Sequence, residues 1–300
     1  MINKQRQSLL KKRILTTDEL SAIRQLAEIC NQHEKLHMRL DWSLLSARSG
    51  AEVNDFLYYR NGELVGYLMA YGLGTDEREL TGVVHPAYRR QGIARILLQA
   101  ARDEYTGFGV RQLLLITERH SRSGKAFMAA VGAHHDFSEH EMLLTHFQER
   151  LQFDDRLLFR PADLSDLDAL ATIYAAIDGA SPEAGKPKIR MRLQDPHCQY
   201  YIATFGEESV GCHEPVGSLR VDEMDGELGI YSFGIIPDYQ GRGYGRQMLE
   251  EAIRTIRADS QKNQMPIMLD VDVTNERAFR LYHSCGFDIK TTYDYYSITL

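Results

Sequence analysis

Ile235-Ile236-Pro237-Asp238-Tyr239-Gln240-Gly241-Arg242-Gly243-Tyr244-Gly245-Arg246 is the stretch on which the fold is decided. The run before it, Leu228 to Ile236, is mostly apolar, has the length of a strand and ends on β-branched residues. After it, Met248, Leu249, Ala252, Ile253 and Ile256 recur at helical spacing. The pattern predicts a strand, a glycine-rich turn and a helix start. Glycine admits φ > 0 and lets a ligand come close to the backbone. The first N–H groups of a helix have no internal partner, and the helix dipole places partial positive charge there. Such a turn is a cradle for phosphate, and Arg242 and Arg246 bring charge to it. No Gly-Lys-Ser/Thr closes the stretch, which excludes a Walker A loop, and the Gly-x-Gly-x-x-Gly frame of dinucleotide folds is missing.

The pattern occurs twice. Leu80 to Arg95 contains His85-Pro86-Ala87-Tyr88-Arg89-Arg90-Gln91-Gly92-Ile93-Ala94, again between an apolar run and a helical one. Pro86 and Pro237 stand 151 positions apart, as do Tyr88 and Tyr239, Gly92 and Gly243, and Arg95 and Arg246. Phe127 and Phe279 stand 152 apart. A register held over this span implies an internal duplication. The polar segment 148–156 marks the boundary, so two domains are expected, residues 1–150 and 151–300.

The chain has 300 residues, 43% of them hydrophobic and 26% charged, which is the profile of a soluble globular protein with a core in each half. A formal net charge of -7 disfavours a nucleic-acid partner. No apolar run approaches a membrane span, and Met1 to Leu15 has no apolar segment of a signal peptide. Cys30, Cys198, Cys212 and Cys285 are scattered, and neither they nor His134, His135 and His140 form a ligand pattern. A cytoplasmic, metal-free protein, monomer or homodimer, is expected.

Taken in order, residues 17–36 read as a helix, 55–59 and 64–71 as strands about an Asn61-Gly62 turn, and 113–117 as a buried strand. The second half restarts with a strand at 157–160, a helix through Leu170 and Ile177, strands at 200–204 and 215–221, and a turn at 223–226. Residues 37–54 are mixed, Gly179-Ala180-Ser181-Pro182 reads as a loop, and 288–300 as one or two closing strands.

The Gln240-x-x-Gly243-x-Gly245 pattern after strand–Pro237 resembles the acetyl-CoA pyrophosphate loop of the GNAT superfamily of N-acetyltransferases. So does Asn275, Ala278, Leu281-Tyr282 and Gly286-Phe287, the closing pattern of that family. The resemblance implies two tandem α/β (α+β) domains, each a mixed, mostly antiparallel twisted sheet flanked by helices. It implies acetyl-CoA as co-substrate, held by Gly234, Ile235, Ile236, Gln240, Gly241, Arg242, Gly243, Tyr244, Gly245, Arg246 and Asn275. The equivalent cradle in the first half is Val83, Val84, Arg89, Arg90, Gln91, Gly92, Ile93 and Ala94. The resemblance also assigns Tyr282 as the acid that protonates the departing thiolate. Asn275 equally suits a helix N-cap, and Tyr282 equally suits a packed aromatic.

Aligning Phe127 with Phe279 puts Ser123 at the asparagine position and Ala130 at the tyrosine position. Alanine donates no proton, so catalysis is expected in the second half, by direct attack of a small-molecule primary amine. Glu227, at the opening of the central strand, is the candidate base, with Asp270 and Asp272 as alternatives on the next strand. Two other readings stand beside this one. One is an acyl-CoA-binding or regulatory protein without turnover. The other is an enzyme that acetylates a protein or peptide.

Overall fold

The computed structural model describes residues 7–38, 40–72, 76–149, 154–179, 181–206 and 214–300. The chain divides into two compact units, Met1–His140 with Thr291–Leu300, and Glu141–Lys290. This division differs from a cut after residue 150 in one respect above all: the last ten residues count with the first unit.

The elements run β1 (Gln7–Lys12), α1 (Thr17–Glu34), α2 (Trp42–Ser46), β2 (Asp55–Arg60), β3 (Glu63–Gly72), β4 (Glu77–Val84), α3 (Ile93–Thr106), β5 (Gln112–Glu118), α4 (Arg122–Val131) and β6 (His134–Leu144). They continue with β7 (Leu157–Pro161), α5 (Leu167–Asp178), α6 (Pro182–Leu193), β8 (Cys198–Phe205), β9 (Glu214–Met224), β10 (Glu227–Ile235), α7 (Tyr244–Ala258), β11 (Ile267–Asp272), α8 (Glu276–Ser284) and β12 (Phe287–Thr299).

In the first unit β1 to β4 are antiparallel neighbours in sequence order and β4 pairs β5 in parallel. The outer side of β5 is taken by β12, whose residues Tyr293–Thr299 run antiparallel to Glu118–Gln112. In the second unit β7 to β10 are antiparallel neighbours and β10 pairs β11 in parallel. Helices cover both faces of each sheet. Leu97, Leu98 and Ala101 of α3 pack with Val65, Leu80 and Leu113, and Ile23, Leu26 and Cys30 of α1 pack with Leu57, Tyr67 and Val83. In the second unit Met248, Leu249 and Ile253 of α7 pack with Val216, Leu228 and Ile267, while Leu170 and Ile173 of α5 pack with Tyr200 and Ile202.

Local chemistry sets the ends of these elements. Thr16 and Glu19 form a capping box at α1. The hairpin turns Asn61-Gly62 and Asp225-Gly226 put both central residues at φ > 0 (53° and 87°, 52° and 82°), matching the right-handed twist of the strands they join. Helix α6 begins in the segment read as a loop. It has Pro187 inside it and buries only Ile189, so apolar periodicity carried no signal. Strand β1 is an exposed edge strand and carried none either.

A buried ion pair sits under β3. Asp55 is 0% exposed and accepts from Arg48 Nε (3.1 Å), Arg48 Nη2 (3.2 Å) and Tyr67 Oη (2.6 Å). Removing one member leaves the other charge buried and alone, which costs roughly 3–5 kcal/mol. Asp55→Ala is therefore expected to lose about that much in urea unfolding, and a loss below ~1 kcal/mol would exclude the pair as a structural element.

Candidate active site

The glycine turn of the second unit has the cradle geometry. Gly241 and Gly243 stand at φ 79° and 88°, and a Cβ on either would meet nothing within 4 Å. Gly243 precedes α7, and no side chain caps the helix, so its first amides point into the open turn. Gln240 folds the turn back on its strand: its Nε2 donates to Ile235 O (2.8 Å) and its Oε1 accepts from Arg277 Nη1 (2.8 Å). Arg242 lies over the Tyr239 ring at 5.1 Å and donates to Asp238 O (2.9 Å). Arg246 binds Glu250, Ser284 Oγ (2.8 Å) and Gln148 O (3.0 Å). Its guanidinium is engaged in fastening α7 within the unit.

The first unit repeats part of this network. Arg90 and Gly92 stand at φ 64° and 84°, in the places of Gly241 and Gly243. Arg89, in the place of Gln240, donates from Nε to Val84 O (3.0 Å) and pairs with Glu34. Tyr88 donates to Glu63 (3.2 Å) as Tyr239 donates to Glu214 (2.7 Å), and each pair keeps the 151-residue offset. Gln91 accepts from Arg60, Ile93 is buried in the core, and Arg95 donates to Ala130 O (2.6 Å). The duplication thus extends to polar contacts between side chains.

In both units the two parallel strands separate. The last rungs are Leu80–Leu115 in the first unit and Ile230–Leu269 in the second, while β4, β5, β10 and β11 run on past them. The exposed edges offer unpaired backbone groups to a ligand lying between the strands. Only β10 is bulged: its register against β9 shifts between Tyr231 and Gly234, whereas β4 holds one register against β3 from Arg78 to Val84. The bulge fits the lengths, since Leu80 and Ile230 are 150 positions apart and Pro86 and Pro237 are 151. Ser232 and Phe233 are the residues freed, with Ser232 at φ 49°. That conformation is uncommon for serine. It is held by Tyr174 Oη donating to Ser232 O (3.2 Å) and by Arg220 Nη1 donating to Ser232 Oγ (3.3 Å). Gly234, Ile235 and Ile236, expected among the residues that hold the co-substrate, have backbone partners: Gly234 and Ile235 pair with β9, and Ile236 N donates to Val216 O (2.9 Å).

Tyr282 stands beside the bulge, its ring 6.1 Å from that of Phe233 and 6.3 Å from that of Phe287. It is 8% exposed, and burial pushes its hydroxyl up to about 12. Asn275 caps α8 by accepting from Ala278 N (3.1 Å). The structure does not bring Glu227 to this place. It opens β10 opposite Met224, six residues before Phe233, which at strand rise is about 20 Å away. Asp270 is the first residue of β11 beyond the last rung, across the opening from Tyr231. Asp272 accepts from Thr274 N (2.7 Å) and so ends the strand.

Arg220 was not anticipated from the sequence. Its guanidinium lies between the rings of Tyr200 (5.9 Å) and Tyr231 (5.1 Å), and Nε donates to buried Asp222 (2.8 Å). The available signal was the row Ser218, Arg220, Asp222, polar at period two and alternating with Gly217, Leu219 and Val221. Among the described residues no cluster of His, Cys, Asp or Glu is placed to hold a metal, and no helix is long and apolar enough to cross a membrane.

Two such units, each a split sheet with an uncapped glycine turn at a helix N-terminus, define a tandem acyl-CoA-dependent acyltransferase architecture. Residues 19–133 and again 167–287 match the acetyltransferase (GNAT) family, and the chain belongs to that family. It is 26% identical over 298 residues to the mycothiol acetyltransferase of Propionibacterium freudenreichii subsp. shermanii, covering 93% of this chain and 88% of that one. It is 27% identical over 288 residues to the mycothiol acetyltransferase of Thermobispora bispora, covering 91% and 93%. Its fold is similar to the crystal structure of a GCN5-related N-acetyltransferase from Sphaerobacter thermophilus, with a TM-score of 0.79 over 98% of this chain and 95% of that one at 18% identity.

Proposed function

We propose that the second unit transfers the acetyl group of acetyl-CoA to the primary amine of a small molecule, and that the first unit does not transfer. The observation that carries this reading is the bulge at Ser232–Phe233 with Tyr282 beside it, against an unbulged β4 and Ala130 in the first unit. The residues fit the co-substrate: open glycines and uncapped amides suit a pyrophosphate, and the separated strands suit an extended arm. Acetyl-CoA supplies the activated thioester. The amides of the bulge offer donors where the carbonyl oxygen gains charge. Tyr282 holds the proton that the leaving sulfur takes up. A carboxylate accepts the proton of the amine, because only the free base attacks. Asp270 is better placed for this than Glu227, since it adjoins the opening between β10 and β11.

Free-thiol release from acetyl-CoA over a panel of amines tests the reading, and the shared name of the relatives makes a mycothiol-related amine the first to try. Asp270→Asn is expected to lower kcat by ~100-fold or more, and Glu227→Gln by less than about threefold. The reverse ranking would return the base role to Glu227. Turnover that survives loss of the second cradle would overturn the assignment of catalysis to that unit.

A further inference from the structure

A cavity of about 630 Å³ passes through the first unit where β4 and β5 separate. Arg90, Gly92 and Ala94 of the glycine turn line it, and so do Leu36 and Met38, which follow α1. It therefore reaches the side of the sheet from which an amine acceptor would have to meet a thioester.

That side presents mostly carbon, with the carboxylate of Glu118 also in the lining. Past the last rung, β5 gives Ile116 where β11 of the second unit gives Asp270. Leu36, Met38 and Val83 complete the wall. The polar groups there are turned to the protein itself. Tyr67 Oη donates to Asp55 (2.6 Å), and Cys30 Sγ donates to Val84 O (3.5 Å). The peptide groups of His37 are held from both directions: its N–H donates to Glu118 Oε2 (2.6 Å), and its carbonyl accepts from Tyr293 Oη (2.5 Å). This clamp fixes Leu36 and Met38 at the cavity. An ammonium group entering here would give up its water with poor replacement, whereas a hydrocarbon chain would lose nothing and gain contact.

We propose that the first unit binds an acyl-CoA with a chain longer than acetyl, the chain running through the split into this chamber, and holds it without transfer. The proposal rests on reading the turn at Arg89–Ala94 as a CoA cradle. It gives the first unit a ligand different from that of the second.

The test is calorimetric titration of the full chain carrying Gly243→Asp, which sets a negative side chain in the second cradle, with CoA, acetyl-CoA and octanoyl-CoA. One site is expected, with CoA and acetyl-CoA bound alike and octanoyl-CoA at least ~10-fold more tightly, since each buried methylene adds to affinity. Ile116→Asp is expected to cancel the octanoyl gain and leave CoA binding unchanged. Met38→Trp, on a partly exposed wall, fills the same space without placing a charge in the core and should act likewise. Equal affinity for all three ligands, or a preference that survives both substitutions, overturns the chamber and leaves the cradle standing. Absence of any CoA binding overturns both. Neither result bears on transfer in the second unit, which is read from thiol release.

Discussion

Tyr282→Phe is expected to lower kcat about 100-fold while leaving the KM for acetyl-CoA within about twofold, which corresponds to ~2.7 kcal/mol of transition-state stabilisation. The split follows from geometry. On the proposed reading the turn amides and the strand edges hold the co-substrate, and neither involves the phenol, so binding is expected to survive. The lost group acts only when sulfur departs with its electron pair. Burial raises the phenol to about 12, so it keeps the proton it is to donate across the working pH range. No fall in rate from ionisation of Tyr282 is expected until the pH approaches 12. The sign for stability is the same. A phenol whose folded value lies above its ordinary 10.0 favours the native state below pH 10, and that contribution is lost as the pH rises toward 12. Steady-state kinetics with thiol detection read the effect, and a kcat within threefold of wild type would remove Tyr282 from the chemistry.

Gly286→Ala is expected to be the most damaging single methyl group in the second unit. Gly286 stands at φ 102°, and a Cβ there would lie 1.4 Å from His146 O and 2.6 Å from His146 C. Both are backbone atoms. Thr145 N and His146 N also donate to Gly286 O (3.1 and 3.3 Å), which holds the two segments together. Overpacking and an unfavourable φ each cost roughly 1–3 kcal/mol, so a loss of about 4 kcal/mol and a fall of ~10 °C in midpoint are expected in thermal unfolding. Gly62→Ala is the control. It too has φ > 0, but nothing lies within 4 Å of its Cβ, so it should lose only about 1 kcal/mol. Equal losses for the two would mean that contact with His146 is not what fixes the glycine.

The duplication made most of the fold legible, because glycine, proline and tyrosine recur at one offset and each is tied to backbone geometry. Gly243 and Gly92 are glycines since φ near 85° is required there, and that requirement can be read from residue type. The bulge left a fainter trace, a single residue gained between Ile230 and Pro237, visible only once the last rungs are known. Glu227 drew attention as the carboxylate at a strand start, but sequence position along a strand does not tell which end meets the ligand. The pairing with Met224 places it at the hairpin. Arg246 looked like a phosphate ligand because charge near a glycine turn invites that reading. Its partners Ser284 and Gln148 come from distant places in the chain, a convergence invisible before folding, whereas Glu250 is an i,i+4 neighbour on the same helix. Helix α6 was missed for want of an apolar stripe.

The return of β12 to β5 has a consequence for the birth of the molecule. Arg119 bonds Asp294 across 175 positions, and β5, paired with β4 on one side, receives its second neighbour from Tyr293–Thr299. A nascent chain emerging from the ribosome can pair β1 to β5 early, yet the open side of β5 must wait until β12 has been made. The usual order, in which the N-terminal part finishes folding while the remainder is still being made, is closed to this protein. During that interval a strand edge rich in leucine is bare, a natural client for a chaperone, and a truncation that removed Tyr293–Thr299 would cripple the unit to which β5 belongs.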